Sequence, residues 1–362
     1  MNRLKKAGKA PAGSVVVAMS GGVDSAVAAF LLKEAGCDVV AVTMCLAVAA
    51  GEGNRAKCCG PGEIEDARRV CRVLGIPHYV MDFSGDLEEK VIRPFVAEYL
   101  RGRTPNPCVP CNRHIKFGTL LDRTLAMGFD FLATGHYCGL EESNGRMVMK
   151  VPRDTKKDQT YFLHDVPGAV LPRVLFPLAD LTKGEVRSIA GKAGLPVSDK
   201  RESQDICFVP RGNPGSFVAA RCRGAGPGDM VDGEGRVLGT HRGIPWYTVG
   251  QRARLGGRPG RPLYVLSIDG PGNRVVVGPK SGLSAVGLLA DGVNLLSGDL
   301  PGRAEARIRY AHRGAPCRAQ LEGGGLRVTF DTPQEAVTPG QSVVLYRDGV
   351  VLGGGIISEA FT

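Results

Sequence analysis

Apolar and polar positions change period in blocks along the first third of the chain. Val15-Val16-Val17-Ala18 is a short β-branched run that suits a buried strand, and Ala26 to Leu32 is a longer Ala/Leu-rich run that suits a buried helix. Positions 38–44 read as a second strand, 62–74 as a helix stopped by Gly75-Ile76-Pro77, and 78–82 as a third strand. Positions 86–100 read as a helix with Asp86 near its start, 112–127 as a helix with Asn112 or Cys111 near its cap, and 131–134 as a fourth strand. This alternation predicts an α/β domain, a parallel sheet with helices on both faces. Such sheets bind ligands beyond the carboxyl ends of their strands, a rim that here takes in Ala18 to Ser25, Met44 and Gly135-His136.

From about position 212 the pattern changes. Gly and Arg become frequent, helical periodicity fades, and 239–262 carries Arg242, Arg252, Arg254, Arg258 and Arg261. Short β runs at 263–267 and 274–278 follow, split by Gly/Pro turns. Further runs at 304–310, 326–330 and 342–346 precede a last one, 350–357, bent at its glycines. The expected division is an α/β domain over 1–211, a small β-rich central domain over 212–282 and a C-terminal antiparallel β-barrel over 283–362.

Composition narrows the function. A hydrophobic content of 43% is ordinary for a folded protein, and no run of 18 apolar residues offers a membrane span. Arg3, Lys5, Lys6 and Lys9 have no apolar core behind them, which reads as a basic tail rather than a secretory signal and makes the cytoplasm the expected location. A formal charge of +10 fits a polyanionic partner, or only solubility. With aromatics at 6%, a protein that reads RNA shape and phosphates is favoured over one that stacks on single strands. Eleven cysteines without an export signal argue against a disulfide framework, and Cys37, Cys138, Cys222 and Cys317 are treated as packing residues.

Three segments carry candidate chemistry. Ser20-Gly21-Gly22-Val23-Asp24-Ser25 joins the first strand to the first helix. Adjacent glycines allow close approach of backbone to ligand, and the hydroxyls, amides and helix N-terminus suit an oxyanion. An ordinary Gly-rich βα turn has the same pattern. Cys108-Val109-Pro110-Cys111 follows a Pro-rich loop and reads as a redox pair, half a metal site or a nucleophile. Cys111 just before the predicted helix sits where a helix dipole favours the thiolate. Cys207, between Ile206 and Phe208, is either a buried small residue or a second reactive thiol. The adjacent Cys58 and Cys59, in a long loop over 45–61, receive no role.

Ser-Gly-Gly-x-Asp-Ser resembles the pyrophosphate loop of the PP-loop ATPases, which differs from Walker A, Gly-x-x-x-x-Gly-Lys-Ser/Thr. That resemblance implies ATP use, pyrophosphate release and Mg²⁺. Seven blocks occur in order: 20–25, 104–117, Ala133-Thr134-Gly135-His136-Tyr137, Lys157-Asp158-Gln159-Thr160-Tyr161-Phe162-Leu163, 202–208, 247–252 and Thr338-Pro339-Gly340-Gln341. Together they resemble the tRNA-specific 2-thiouridylases, which place sulfur on C2 of the wobble uridine, over nearly the whole chain. The resemblance implies a PP-loop domain, a central domain and a C-terminal β-barrel. It implies ATP on Ala18, Met19, Ser20, Gly21, Gly22, Val23, Asp24 and Ser25, with Met44 and Gly135 near the nucleoside. It implies Cys111 and Cys207 as the catalytic pair, one a nucleophile and one a persulfide carrier that form a disulfide in turn, charged by a sulfur-relay protein or cysteine desulfurase. Asn106-Pro107-Cys108 would meet the target base. Lys157, Asp158, Gln159, Arg309 and Tyr310 would touch the tRNA (Lys, Glu and Gln acceptors in the family), with His136 and Gln341 in support.

Some family members have Asp where this chain has Cys108, so Cys108, Cys111 and Cys207 could instead form a three-thiolate set for a 4Fe–4S cluster. Other adenylating PP-loop enzymes, such as tRNA lysidine synthetase or argininosuccinate synthetase, need no cysteine pair. A non-catalytic RNA-binding or sulfur-carrying protein on the same fold would show no tRNA-dependent ATP–pyrophosphate exchange.

Overall fold

The computed structural model describes residues 13–46, 61–200, 206–209, 213–222, 226–253, 262–300 and 302–362. The basic N-terminal stretch, Cys58 and Cys59, 202–205, and Arg254, Arg258 and Arg261 lie outside them. The chain packs as two compact units, Met1–Lys90 with Val109–Phe208 and Gly349–Val351, and Val91–Cys108 with Val209–Asp348 and Leu352–Thr362.

The first unit is built on β1 (Ser14–Ala18), whose Val15, Val16 and Val17 are fully buried. It is followed by α1 (Val23–Glu34), β2 (Asp38–Cys45), α2 (Pro61–Leu74) and β3 (His78–Asp82). After a π-type segment (Cys111–Leu120) come α3 (Leu121–Ala126) and β4 (Phe131–Thr134). A hairpin of β5 (Gly139–Ser143) and β6 (Arg146–Lys150), then β7 (Val174–Leu175) and α4 (Lys183–Lys192), complete the unit. The sheet order is β3-β2-β1-β4-β7, parallel at every pairing. The order reverses at β1, so a crevice opens beyond the paired ends Ala18 and Thr134, where open α/β sheets take their ligands.

Helix α1 is apolar on most sides, with Val23, Ala26–Ala29 and Leu32 all buried, because it lies against the sheet, α2 and α4 at once. Helix α4 opens with a complete capping box. Thr182 accepts the Glu185 N–H, and the Glu185 carboxylate accepts the Thr182 N–H at 2.8 Å. The spacing that produces it, Thr-x-x-Glu, is a readable start signal.

One expected boundary moves. Helical winding begins at Cys108, not at Asn112, so Cys111 sits one turn inside. The Asn106 side chain takes the capping role by accepting the Cys108 N–H at 3.1 Å. Pro110 does not delay the start, because its missing N–H falls in a first turn whose donors have no intrahelical partner anyway.

In the second unit, helix Arg93–Leu100 stacks Phe95 edge-on against Tyr99 and against Phe217 of α5 (Pro214–Ala219). A five-stranded sheet has the order β10-β11-β12-β8-β9, formed by β8 (Gly228–Val231), β9 (Val237–His241), β10 (Arg252–Ala253), β11 (Leu263–Asp269) and β12 (Arg274–Gly278). The C-terminal strands are β13 (Ser284–Leu295), β14 (Arg303–Arg307), β15 (Ala315–Glu322), β16 (Gly325–Glu335), β17 (Ser342–Arg347) and β18 (Val350–Phe361). They run β13-β16-β15-β14-β17-β18, and β18 pairs back to β13, closing the expected barrel and leaving it no edge. The last strand bends at Gly353, where φ is +144° and a Cβ would lie 2.2 Å from the Asn294 carbonyl oxygen.

Candidate active site

The glycine loop leaves β1 at Ala18 and enters α1 at Val23, with Gly22 extended just before the helix. Gly21 turns the chain at φ +73°, and a Cβ there would sit 2.3 Å from the Glu63 carbonyl oxygen, so the tight turn against α2 requires glycine. Inside the loop the Ser25 hydroxyl accepts the Ser20 N–H, bonds the Ser20 hydroxyl at 3.2 Å and donates to the Gly22 carbonyl. These bonds fix the turn at the N-terminus of α1, a position whose helix dipole favours an oxyanion.

Met19 donates its N–H to Val42 of β2, and the Thr43 hydroxyl donates to the Met19 carbonyl, which fixes the loop beside Met44. Gly135 abuts the first turn of α1, since a Cβ there would lie 2.7 Å from the Ser25 nitrogen. His136 bonds Thr134 Oγ1 through Nδ1 at 2.7 Å and packs beside Phe117 and Phe176. Burial, with the Lys116 ammonium adding to it, holds the His136 imidazole well below its ordinary pKa, so it is neutral at physiological pH.

The 157–163 block joins this rim. Gln159 bonds the Tyr137 backbone twice, accepting its N–H at 2.9 Å and donating to its carbonyl. The Tyr137 hydroxyl donates to Asp24 of the glycine loop at 3.0 Å. On the other side, Asn112 donates to the Phe162 carbonyl, and Arg113 bonds the Asp165 carboxylate at 2.6 Å. The helix of Cys111, the 157–163 block, Tyr137 and the glycine loop are therefore one hydrogen-bonded set. Asp158 is buried and accepts the Thr160 N–H and hydroxyl, while Lys157 is half-exposed.

The two thiols differ in access. Cys111 is buried at 9% exposure, whereas Cys207 is exposed on a turn whose neighbours Phe208 and Val209 are buried. Cys108 is exposed. Among the described residues no three His, Cys, Asp or Glu side chains gather into a set that could hold a metal ion.

In the second unit, the loop before Asn106, half-exposed, and Pro107, buried, is pinned to the barrel. Thr104 donates its N–H to the Pro339 carbonyl, and Gln341 donates from Nε2 to the Thr104 carbonyl at 2.6 Å. Thr104, Thr248, Gly250, Arg309, Thr338 and Gln341 are among the residues lining a cavity of about 350 Å³. Arg309 and Tyr310 are exposed beside it. Sequence reasoning did not single out Lys183 or Lys200. Lys183 pairs with Asp24, and Lys200 bonds both the Gly21 carbonyl and Asp66. Only Lys183 carried a signal, as the residue after the Thr182 cap.

Comparison with known proteins gives a consistent picture. The family models described as tRNA methyl transferase HUP domain, tRNA methyl transferase PRC-barrel domain and aminomethyltransferase beta-barrel domain match residues 13–211, 215–279 and 286–357. The chain is 54% identical over 346 residues to tRNA-specific 2-thiouridylase MnmA 1 of Syntrophus aciditrophicus, covering 96% of this chain and 93% of that protein. It is 47% identical to tRNA-specific 2-thiouridylase MnmA of Moorella thermoacetica, covering 95% and 99%. Among solved structures, the U34-tRNA thiolase NcsA of Methanococcus maripaludis, with its 4Fe-4S cluster, is similar at 20% identity and a TM-score of 0.35, covering 55% of this chain and 61% of that one. By its identity to relatives over almost its whole length, the chain belongs to the tRNA-specific 2-thiouridylase family.

Proposed function

We propose that this protein is an ATP-dependent sulfurtransferase that converts the wobble uridine of tRNA to 2-thiouridine. The observation that carries this reading is the near full-length match to 2-thiouridylases in a chain that keeps the glycine loop and both Cys111 and Cys207. The working modules are 1–211, 212–282 and 283–362, with the cytoplasm as the site of action.

The uracil C2 oxygen is a poor leaving group and must first be activated. It attacks the α-phosphorus of ATP held on Ala18–Ser25, N3 gives up its proton, and pyrophosphate departs. The loop amides and the α1 N-terminus stabilise the charge that moves onto the leaving phosphates. Asp24, whose carboxylate is bonded to Lys183 and Tyr137, would hold Mg²⁺ once freed from them, and the ion would supply charge neutralisation on the phosphates.

The exposures support one assignment of the thiols. Cys207, on the surface, is the one a sulfur-relay protein or desulfurase can reach, so it carries the persulfide. Its terminal sulfur adds to C2, and the Cys111 thiolate attacks the sulfur of Cys207. The persulfide S–S bond breaks, a Cys111–Cys207 disulfide forms, and the transferred sulfur stays on C2. The C2–O bond then breaks, AMP leaves with the electron pair, N3 regains its proton, and an external dithiol reduces the disulfide. In this reading sulfur transfer runs through the two thiols alone.

Reaching C2 requires the base to leave its stack. Asn106-Pro107-Cys108 receives it, while Lys157, Asp158, Gln159, His136, Arg309, Tyr310 and Gln341 form or support the tRNA surface. The test is release of AMP and pyrophosphate from ATP by the purified protein with and without unmodified tRNA. Release that depends on tRNA is expected, and tRNA-independent release, or none, contradicts the proposal.

A further inference from the structure

Lys116 stands in the π-type segment Cys111–Leu120, where backbone bonds link residues five apart, so it follows Cys111 by one turn. Side chains on a helix lean toward its N-terminus, which carries the Lys116 stem back over the turn that holds Cys111. The residue is half-buried, and Nζ lies 3.4 Å from Nε2 of His136. An ammonium only donates, so Nε2 is the acceptor, and the imidazole proton is on Nδ1, donated to Thr134 Oγ1 at 2.7 Å. The Phe117 and Phe176 rings pack against the same imidazole. His136 is thereby a fixed, uncharged acceptor for the ammonium.

What this ammonium lacks is a counter-charge. Lys90, Lys183 and Lys200 of the same unit each pair with a carboxylate, that of Asp86, Asp24 and Asp66. Lys116 has the imidazole instead, and among the described residues no carboxylate lies within ion-pair distance of it. A half-buried cation without an acid costs free energy, and it marks a place for an anion that the fold does not itself supply. Gly135 and His136 set that place, because they follow β4 and Gly135 abuts the first turn of α1. The charge therefore sits on the strand-end rim, one turn along the helix from Cys111. The reaction proposed above puts negative charge at two points. Pyrophosphate takes it up at the glycine loop in the first step, and the AMP oxygen takes it up at C2 in the second. The neighbourhood of Cys111 belongs to the second.

We propose that Lys116 is a catalytic residue of the sulfur-transfer step, holding the phosphoryl group of the adenylated uridine and the charge that AMP carries away. Its ammonium turns from His136 to the oxygen that joins C2 to phosphorus. Once sulfur has added to C2, the C2–O bond breaks and its electron pair goes to that oxygen. The phosphoryl group changes from monoanion to dianion beside an ammonium that keeps its proton. A donor fixed in advance, in a site partly closed to water, stabilises such a charge without reorganising at the moment of reaction. Adenylation moves charge the other way, onto pyrophosphate, so Lys116 contributes little to it. The inference rests on the ATP-dependent activation of C2 proposed above and adds a residue for its second half.

The test takes full-length wild-type, Lys116→Met and Lys116→Arg proteins, loaded with sulfur by a desulfurase and cysteine, through a single turnover with unmodified tRNA and ATP labelled in its α-phosphate. Label on tRNA reports the adenylate, and free AMP with 2-thiouridine reports its consumption. Lys116→Met is expected to form the adenylate within about fivefold of the wild-type rate and to consume it about 10²-fold more slowly, so that labelled tRNA accumulates. Lys116→Arg keeps the charge and is expected to consume the adenylate at least about tenfold faster than Lys116→Met. Equal slowing of both steps, as a misplaced helix would give, or no slowing of the second, overturns the proposal. So does Lys116→Arg no faster than Lys116→Met. Should Lys116→Met fail to melt cooperatively, Lys116→Gln, which keeps a donor without the charge, is read by the same criteria. Wild-type protein that turns over no ATP with tRNA overturns the activation reading itself, a result separate from any effect at Lys116.

Discussion

Replacing Cys111 by Ser is expected to abolish formation of 2-thiouridine, lowering it by about 10³-fold or more, while tRNA-dependent release of AMP falls far less. The split follows from the chemistry. Activation of the C2 oxygen needs the loop, the nucleotide and a positioned base, none of which is a thiol. Release of sulfur needs a thiolate that attacks Cys207 and stays bonded to it. A serine hydroxyl is not ionised near neutral pH and forms no S–O analogue of that disulfide. Cys207→Ser should lose thiolation equally and also lose the mass of one added sulfur after incubation with a desulfurase and cysteine. Cys108→Ser should retain thiolation within a few-fold, because in the proposed mechanism sulfur passes only between Cys207 and Cys111. Mass spectrometry of the protein and quantification of AMP and 2-thiouridine from the same reactions measure all three. Loss of thiolation in Cys108→Ser as complete as in the other two, with iron and acid-labile sulfide in the wild-type protein, would return the cluster to the mechanism.

Gly135→Ala should weaken ATP binding by about tenfold or more, the equivalent of about 1.4 kcal/mol lost from the site. The new Cβ would lie 2.7 Å from the Ser25 nitrogen and 2.8 Å from the Asp24 carbonyl carbon. Both are backbone atoms of the first turn of α1, so no rotamer relieves the clash and the helix N-terminus itself must shift. Ser25 and Asp24 are the residues that shape the cradle and hold Lys183, so the damage falls on the phosphate site rather than on the core. Gly184→Ala is the matched control. It lies in α4 with nothing within 4 Å of its Cβ and no positive φ, so it should bind ATP normally and gain about 0.4–1 kcal/mol of stability. Titration of ATP and thermal melts of the two variants separate these outcomes. Similar ATP affinity in both would contradict the assignment of Gly135 to the nucleotide rim.

How much of this was legible in the residues depends on how local the signal is. Strands β1, β2 and β4 could be read because each is a short apolar run between breakers and is largely buried, as parallel strands are, while the edge strand β3 is half-exposed or exposed along its length. The order β3-β2-β1-β4-β7 could not, because nothing local encodes which strand lies beside which. Strand β13 was missed for a different reason. Its Ser284–Leu295 run contains Gly287 and Asp291-Gly292, which read as turns, yet pairing with β16 and β18 absorbs them as irregularities of register. The start of the helix at Cys108 was hidden by Pro107 and Pro110, which act as breakers in an interior but not in a first turn.

The site divides in the same way. The glycine loop announces itself within six residues. The Tyr137–Asp24–Lys183 set joins positions 113 and 159 residues apart, and only the folded chain brings them together. Asn112 shows a mixture of the two. Its place beside Cys111 is visible in the sequence, but its bond to the Phe162 carbonyl, which ties the cysteine helix to the 157–163 block, is not.

The central claim is that this protein exchanges oxygen for sulfur at C2 of the wobble uridine. Its most direct test is mass spectrometry of tRNA nucleosides from cells lacking the protein, complemented with the wild-type, Cys111→Ser or Cys207→Ser chain. Wobble 2-thiouridine derivatives should be absent in the deletion and return only with the wild type. Their presence at normal levels in the deletion, or their full return with either variant, would contradict it.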